Sequence, residues 1–250
     1  ADVTKVEAPW GDDTRGWGPP FLDDGTAAYH LSCNRGKEIL FHNLKEDKEE
    51  NQKLISQSDV VIENFRPGQL ESLIGPISRD VILCSITGFG QSGPRSQEPG
   101  YDLALQAMSG IMSITGEEGG GPVKVGVAWI DIITGLYAGN AILGALFKRE
   151  RTGINSHLDI SLWDCAIASL ANQGQNQITS GNDPRLLGSG HPNLVPYQAF
   201  QTCDGWVVIA VGSDSQFEKL SQFLEFENVW PTNELRVNSR KEVVAMVQSK

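Results

Sequence analysis

Two aspartates raise the first chemical question in this chain. Asp131 lies between an extended segment, Val123–Ala128, and a long apolar run, Ile132–Arg151, that reads as a helix. A carboxylate in that position can accept hydrogen bonds from the free amides that open a helix. Beyond a strand end, it can equally attack an activated acyl group as a nucleophile. Spacing alone leaves both roles open. Asp102 follows Tyr101 after Pro99-Gly100 and opens a helical pattern that runs to Ile114, so it too can cap. Thr87–Pro94 (TGFGQSGP) follows the apolar run Asp80–Ile86, and Gly88, Gly90 and Gly93 would let a ligand approach its backbone. An ordinary strand-ending loop has the same composition. The segment matches neither GxGxxG nor the P-loop pattern. Gly188-Ser189-Gly190 reads as a mobile lid or a flexible connection, and His191 beside it as a surface or structural histidine. Trp10, Trp17 and Phe21 either cover a binding site or anchor their own loop.

The elements that must position these residues alternate. Asp2–Glu7, Val60–Glu63, Asp80–Ile86 and Asn155–Ser161 read as strands, the second and third buried on both faces as in a parallel sheet. Lys45–Ser58 reads as a polar helix with Leu54 and Ile55 inward, and a further helix runs from Ser161 to about Ile178. Alternation of this kind predicts an α/β fold with a mainly parallel sheet and helices on both faces. Ser180–Pro196 carries no clear element. Trp206–Val211 and Ser213–Leu224 then start a new strand and helix. The expected organisation is a large α/β domain over 1–178, a linker with a glycine loop over 179–195, and the start of a smaller, incomplete domain over 196–250. Ala1 opens within a strand pattern and Lys250 closes within a helical one, so the chain is expected to be a piece of a longer protein.

Composition narrows the function. The 250 residues are 40% hydrophobic, enough to bury a core, and the net charge of −11 argues against a general nucleic-acid face. No apolar run approaches the roughly 18 residues of a membrane span. The longest, Ile130–Phe147, is interrupted by Asp131, Thr134, Gly135, Gly139 and Asn140 and reads as a buried helix. Cys33, Cys84, Cys165 and Cys203 are scattered, with no metal-ligand spacing. Scattered thiols point to a reducing compartment, the cytoplasm, or the mitochondrion if a transit peptide precedes Ala1.

Six segments, in order, resemble one family. They are KVEAPWGDDTRGWGPPF (Lys5–Phe21), ENFRPG (Glu63–Gly68), CSITGFGQSGP (Cys84–Pro94), GYDLALQAMSGIMSITG (Gly100–Gly116), VGVAWIDIITGLYA (Val125–Ala138) and VPYQAFQTCDG (Val195–Gly205). Together they are similar to the class III (formyl-CoA transferase-like) coenzyme A transferases, and within them to dicarboxylate enzymes of the succinyl-CoA:glutarate type. The resemblance implies a Rossmann-like large domain, a small domain and two chains interlocked through linkers as a homodimer. It implies Asp131 as the nucleophile, with Tyr101 and Asp102 beside it and Gly188 and Gly190 covering its intermediates. Lys45, Asn64 and Phe65 are the implied CoA contacts. Acyl-CoA and a carboxylic acid are then the substrates, with no permanently bound cofactor, no metal, and no nucleic-acid or membrane partner. Two residues depart from the family pattern: Ala8 and Ser72 stand where members carry CoA-binding arginines. The resemblance extends to α-methylacyl-CoA racemases, which carry His-Asp where this chain has Tyr101-Asp102. A phenol titrating near 10 is poorly suited to proton transfer near neutrality. A non-catalytic CoA-binding or dimerising protein is the alternative of a different class.

Overall fold

Short runs of β-branched and aliphatic residues form the strands, and polar or glycine-containing segments separate them. The computed structural model describes residues 1–250. By compactness the chain divides into one unit of Ala1–Pro99 with Thr134–Ser161, and another of Gly100–Ile133 with Leu162–Lys250.

In the first unit, β1 (Thr4–Glu7) pairs parallel with β2 (Glu38–Phe41). A separate sheet of order β3-β4-β5 is parallel throughout, with β3 at Val60–Glu63, β4 at Ile82–Thr87 and β5 at His157–Ser161. Helix α1 (Ala28–Asn34) connects β1 to β2, α2 (Lys48–Ser56) connects β2 to β3, and α3 (Gln69–Ile74) connects β3 to β4. The parallel neighbours β1 and β2, and β3 and β4, require such crossovers. The segments that follow β3 and β4 therefore leave the sheet at the same edge. Ile55, Leu70, Ile74 and Val81 form a core cluster here, with Phe65 packed against it. The helix expected over Lys45–Ser58 begins at Lys48, and it turns Asn51 and Ile55 inward, with Leu54 half-buried.

The second unit holds α4 (Asp102–Met108), α5 (Ile111–Ile114), the start of α6 (Trp129–Thr152), α7 (Leu162–Ser169) and α8 (Ala171–Ser180). After them come an antiparallel hairpin, β6 (Tyr197–Gln201) with β7 (Trp206–Ala210), and three helices: α9 (Asp214–Phe223), α10 (Asn233–Asn238) and α11 (Arg240–Gln248). Val195, Val211, Phe217 and Val243 form its core cluster. The Arg236 side chain is 1% exposed, and it donates to Val195 O, Trp230 O and Asp214 Oδ1 while its guanidinium lies over the Phe217 ring. A buried guanidinium is tolerated because its donors are used.

Several sequence expectations need correction. The helix expected over Asp102–Ile114 breaks at Gly110, whose φ of 91° is left-handed and stops the turn. The helix expected from Ser161 to Ile178 is two helices, broken where Ala171 adopts φ 48°. Val123–Ala128 joins no sheet. The long helix starts at Trp129, earlier than the apolar run indicates. Nor is that helix buried all round: Ile130, Ile133, Ala138 and Ala145 face inward, but Leu136, Leu143 and Phe147 are 64–66% exposed. Its most apolar 18-residue window has a mean hydropathy of 1.5 and is 28% buried. By length and composition alone it is able to cross a membrane, a property shared by helices that seat against protein.

Candidate active site

The capping question at Asp131 is settled by where α6 begins. Because Trp129 is already helical, Asp131 lies inside the first turn and is not the residue before it. The cap comes from a distance. Asp102 Oδ1 accepts the backbone N–H of Ile130 at 2.7 Å, so a carboxylate opening one helix satisfies a free amide of the other. Its second oxygen, Oδ2, accepts Gln106 Nε2–H at 2.6 Å. Gln106 in turn accepts the N–H of Val125 on Oε1 at 2.9 Å. Asp131 is exposed and makes no hydrogen bond or ion pair, so its oxygens are open to attack an electrophile. Partial withdrawal of its carboxylate from water, and then the negative charge of Asp102, raise its pKa above the ordinary value. A higher pKa makes the carboxylate more basic, and a more basic carboxylate is the stronger nucleophile once ionised.

The structure brings Asp131 and Asp102 together directly. Tyr101 flanks Asp102 at the start of α4, but its ring is 74% exposed and without a hydrogen-bond partner. The two glycines lie on a turn tied elsewhere. Gly188 N–H donates to Gly116 O at 2.9 Å and Gly190 N–H to Leu187 O at 2.8 Å. A Cβ on Gly188, whose φ is 56°, would sit 2.6 Å from Glu117 Oε2, and one on Gly190 would sit 2.9 Å from the Leu187 carbonyl. Side chains at either position would disrupt this turn whatever its role.

The implied CoA contacts lie in the first unit. Asn64 is exposed directly after β3, and Phe65 N–H donates to Glu63 Oε2 at 2.8 Å while its ring joins the core cluster. An open cavity of about 610 Å³ adjoins them, lined by Arg66, Gly68, Gln69, Ser72 and others. Lys45 is exposed, its backbone N–H held by Asn43 Oδ1 at 3.1 Å. The glycine-rich loop after β4 is braced by neighbouring strands: Gln91 N–H donates to both oxygens of the exposed Asp159 on β5 at 2.9 and 3.1 Å, and Gly90 N–H to Thr87 Oγ1 at 3.0 Å. Gln91 Nε2 is buried without a partner. Trp10 and Trp17 are 80% and 55% exposed, on a loop anchored by Arg15 donating to the buried Glu7 at 2.7 Å. No group of three or more His, Cys, Asp or Glu side chains is arranged to hold a metal ion. Cys84 is buried, and burial pushes its thiol pKa up to about 11.

Sequence reading missed Gln106 altogether. Its spacing of four from Asp102 on a helix is the signal that would have found it, because such pairs share a helix face.

Against this geometry, similarity to known proteins is informative. The chain is 44% identical to a succinate–glutarate CoA-transferase of Agrobacterium fabrum, over 100% of this chain and 67% of that protein. It is 40% identical to the human succinyl-CoA:glutarate CoA-transferase, over 100% of this chain and 60% of that protein. A succinyl-CoA:mesaconate CoA-transferase of Haloarcula marismortui is 38% identical over 90% of this chain and 61% of its own length. The chain thus spans 60–67% of the length of these relatives. Among solved structures, a CAIB/BAIF family protein from Brucella suis superposes with a TM-score of 0.83 at 44% identity, covering 100% of this chain and 70% of that one. The profile of CoA-transferase family III matches residues 1–249, and the chain belongs to that family.

Proposed function

We propose that the protein transfers coenzyme A reversibly between an acyl-CoA and a carboxylic acid, with dicarboxylates among its acids and Asp131 as the nucleophile. One observation carries this reading: Asp131 is an exposed carboxylate without hydrogen bonds, and the capping it would otherwise perform is done by Asp102. The relatives' named substrates, succinate, glutarate and mesaconate, support the dicarboxylate class.

An Asp131 oxygen attacks the thioester carbonyl carbon of the donor, and the C–S bond breaks to give an acyl-aspartyl anhydride and CoA thiolate. The thiolate attacks the Asp131 carbonyl, releasing the donor acid and leaving an aspartyl-CoA thioester. The acceptor carboxylate attacks that thioester, forming a new anhydride and freeing the thiolate again. Attack of the thiolate on the acceptor's acyl carbon yields the product acyl-CoA and regenerates the Asp131 carboxylate. Each step exchanges one activated acyl bond for another, so the activation of the original thioester is carried through to the product. Tyr101 flanks this exchange, and the Gly188–Gly190 turn shields it from water. Lys45, Asn64 and Phe65 hold CoA, with the cavity beside Arg66 and Ser72 as the place for its anionic portion.

The assembly proposed with this reaction is an interlocked homodimer joined through the linker over 179–195. Residues 1–178 form the CoA-binding catalytic domain and 196–250 the start of a second. The exposed stripe Leu136, Leu143 and Phe147 on α6 supports an apolar contact surface of the kind this assembly needs. A reducing, cytoplasmic location fits the four free cysteines. The reaction is tested by incubating the protein with succinyl-CoA and glutarate or mesaconate in deuterated water. Formation of the new acyl-CoA supports transfer, whereas α-deuterium exchange without acyl exchange would replace it with racemase chemistry.

A further inference from the structure

Gln106 is fully buried and uses both ends of its side-chain amide, yet nothing in the reaction above assigns it a task. The bonds form a relay. Val125 N–H reaches Gln106 Oε1 at 2.9 Å, Gln106 Nε2–H reaches Asp102 Oδ2 at 2.6 Å, and Asp102 Oδ1 takes Ile130 N–H at 2.7 Å. Both terminal amides belong to the stretch that delivers Asp131. That stretch joins no sheet and becomes helical only at Trp129, so no backbone ladder fixes it. We propose that Gln106 is a positioning residue for the nucleophile, its one amide clamping Val125 and the Asp102 carboxylate so that Asp131 starts its helix in register for attack.

Two physical effects run through this clamp. Orientation is the first: a misplacement of about 1 Å at a reacting group costs roughly a hundredfold in rate. Charge is the second: the clamp fixes the Asp102 carboxylate beside the nucleophile, and its negative charge helps raise the pKa of Asp131. The charged groups on the elements around the pair are Asp131 on α6, Asp164 on α7, which packs against α4, and Lys124, whose ammonium is held by the Val125 and Gly126 carbonyls.

The inference rests on Asp131 as nucleophile, and its test separates the two. The protein is mixed with acyl-CoA and hydroxylamine, and the rate of hydroxamate formation at Asp131 is followed by mass spectrometry, with acyl-CoA affinity and melting temperature measured alongside. No hydroxamate in the unsubstituted protein sinks the nucleophile reading itself. Given trapping there, Gln106→Met, which matches the volume and loses both bonds, is expected to trap at least about tenfold more slowly with acyl-CoA affinity little changed. Gln106→Glu keeps the acceptor for Val125 but can donate to Asp102 only while protonated. Its trapping rate, taken as a ratio to the unsubstituted protein at each pH, is expected to be low near neutrality and to recover as pH falls. A folded Gln106→Met protein that traps at the normal rate overturns the inference, and so does a Gln106→Glu ratio that stays flat with pH.

Discussion

At the scale of residues, the account turns on a division of labour between two carboxylates. Both open helices in the sequence, and both would be read as caps. Asp102 makes the capping bond to Ile130, and Asp131 is left unbonded. That division was half legible. Spacing left both aspartates readable as caps, and only the family resemblance singled out Tyr101, Asp102 and Asp131; a cap supplied from 28 residues away is invisible to a rule that looks at neighbours. Asp102 also acts on Asp131 through its charge, which helps raise the nucleophile's pKa after withdrawal from water. Asp102→Asn keeps an oxygen for Ile130 but removes that charge. The pKa of Asp131 then falls, so the acid limb of kcat/KM, which follows ionisation of the nucleophile, is expected to move to lower pH. A pH–rate profile measures the shift, and an upward move would contradict the assigned coupling.

Elements place these residues, and here the sequence was read unevenly. The runs Val60–Glu63, Asp80–Ile86 and Asn155–Ser161 were legible as β3, β4 and β5, but burial on both faces, expected of the first two, holds only for β4: Ile62 on β3 is 60% exposed. Breaks were not: Gly110 and Ala171 interrupt apolar patterns that continue straight through them, and only a left-handed backbone angle reveals the stop. The strands β2 and β6 and helices α1 and α3 were missed, since each is too short for its periodicity to stand out. In the second unit one side chain organises several elements. Arg236 ties α10 to Val195, Trp230 and the start of α9. Arg236→Met is expected to lower stability by about 3 kcal/mol, because buried carbonyls lose their donor. Denaturant unfolding checks it, and a change below about 0.5 kcal/mol, the usual range for surface substitutions, would show that the network contributes little.

For the whole molecule, the informative feature is the outer face of α6. Helical spacing puts Leu136, Leu143 and Phe147 on one stripe, and all three are exposed in a single chain. The interruptions in Ile130–Phe147 had suggested burial, but Gly135, Gly139 and Asn140 do not decide which side of a helix meets protein. An uncovered apolar stripe on a long helix favours association. Light scattering is expected to show a dimer or larger species, and Leu143→Lys to shift it toward monomer. A monomer before substitution would contradict the proposed assembly.

The most direct test of the central claim is the fate of the Asp131 carboxylate during turnover. Acyl-CoA and hydroxylamine should together leave a hydroxamate on the peptide that contains Asp131, located by tandem mass spectrometry. The mark should be absent without acyl-CoA and absent in Asp131→Asn, which should lose CoA transfer by orders of magnitude while remaining folded. Full transfer activity in Asp131→Asn, or a hydroxamate on another carboxylate, would contradict the account.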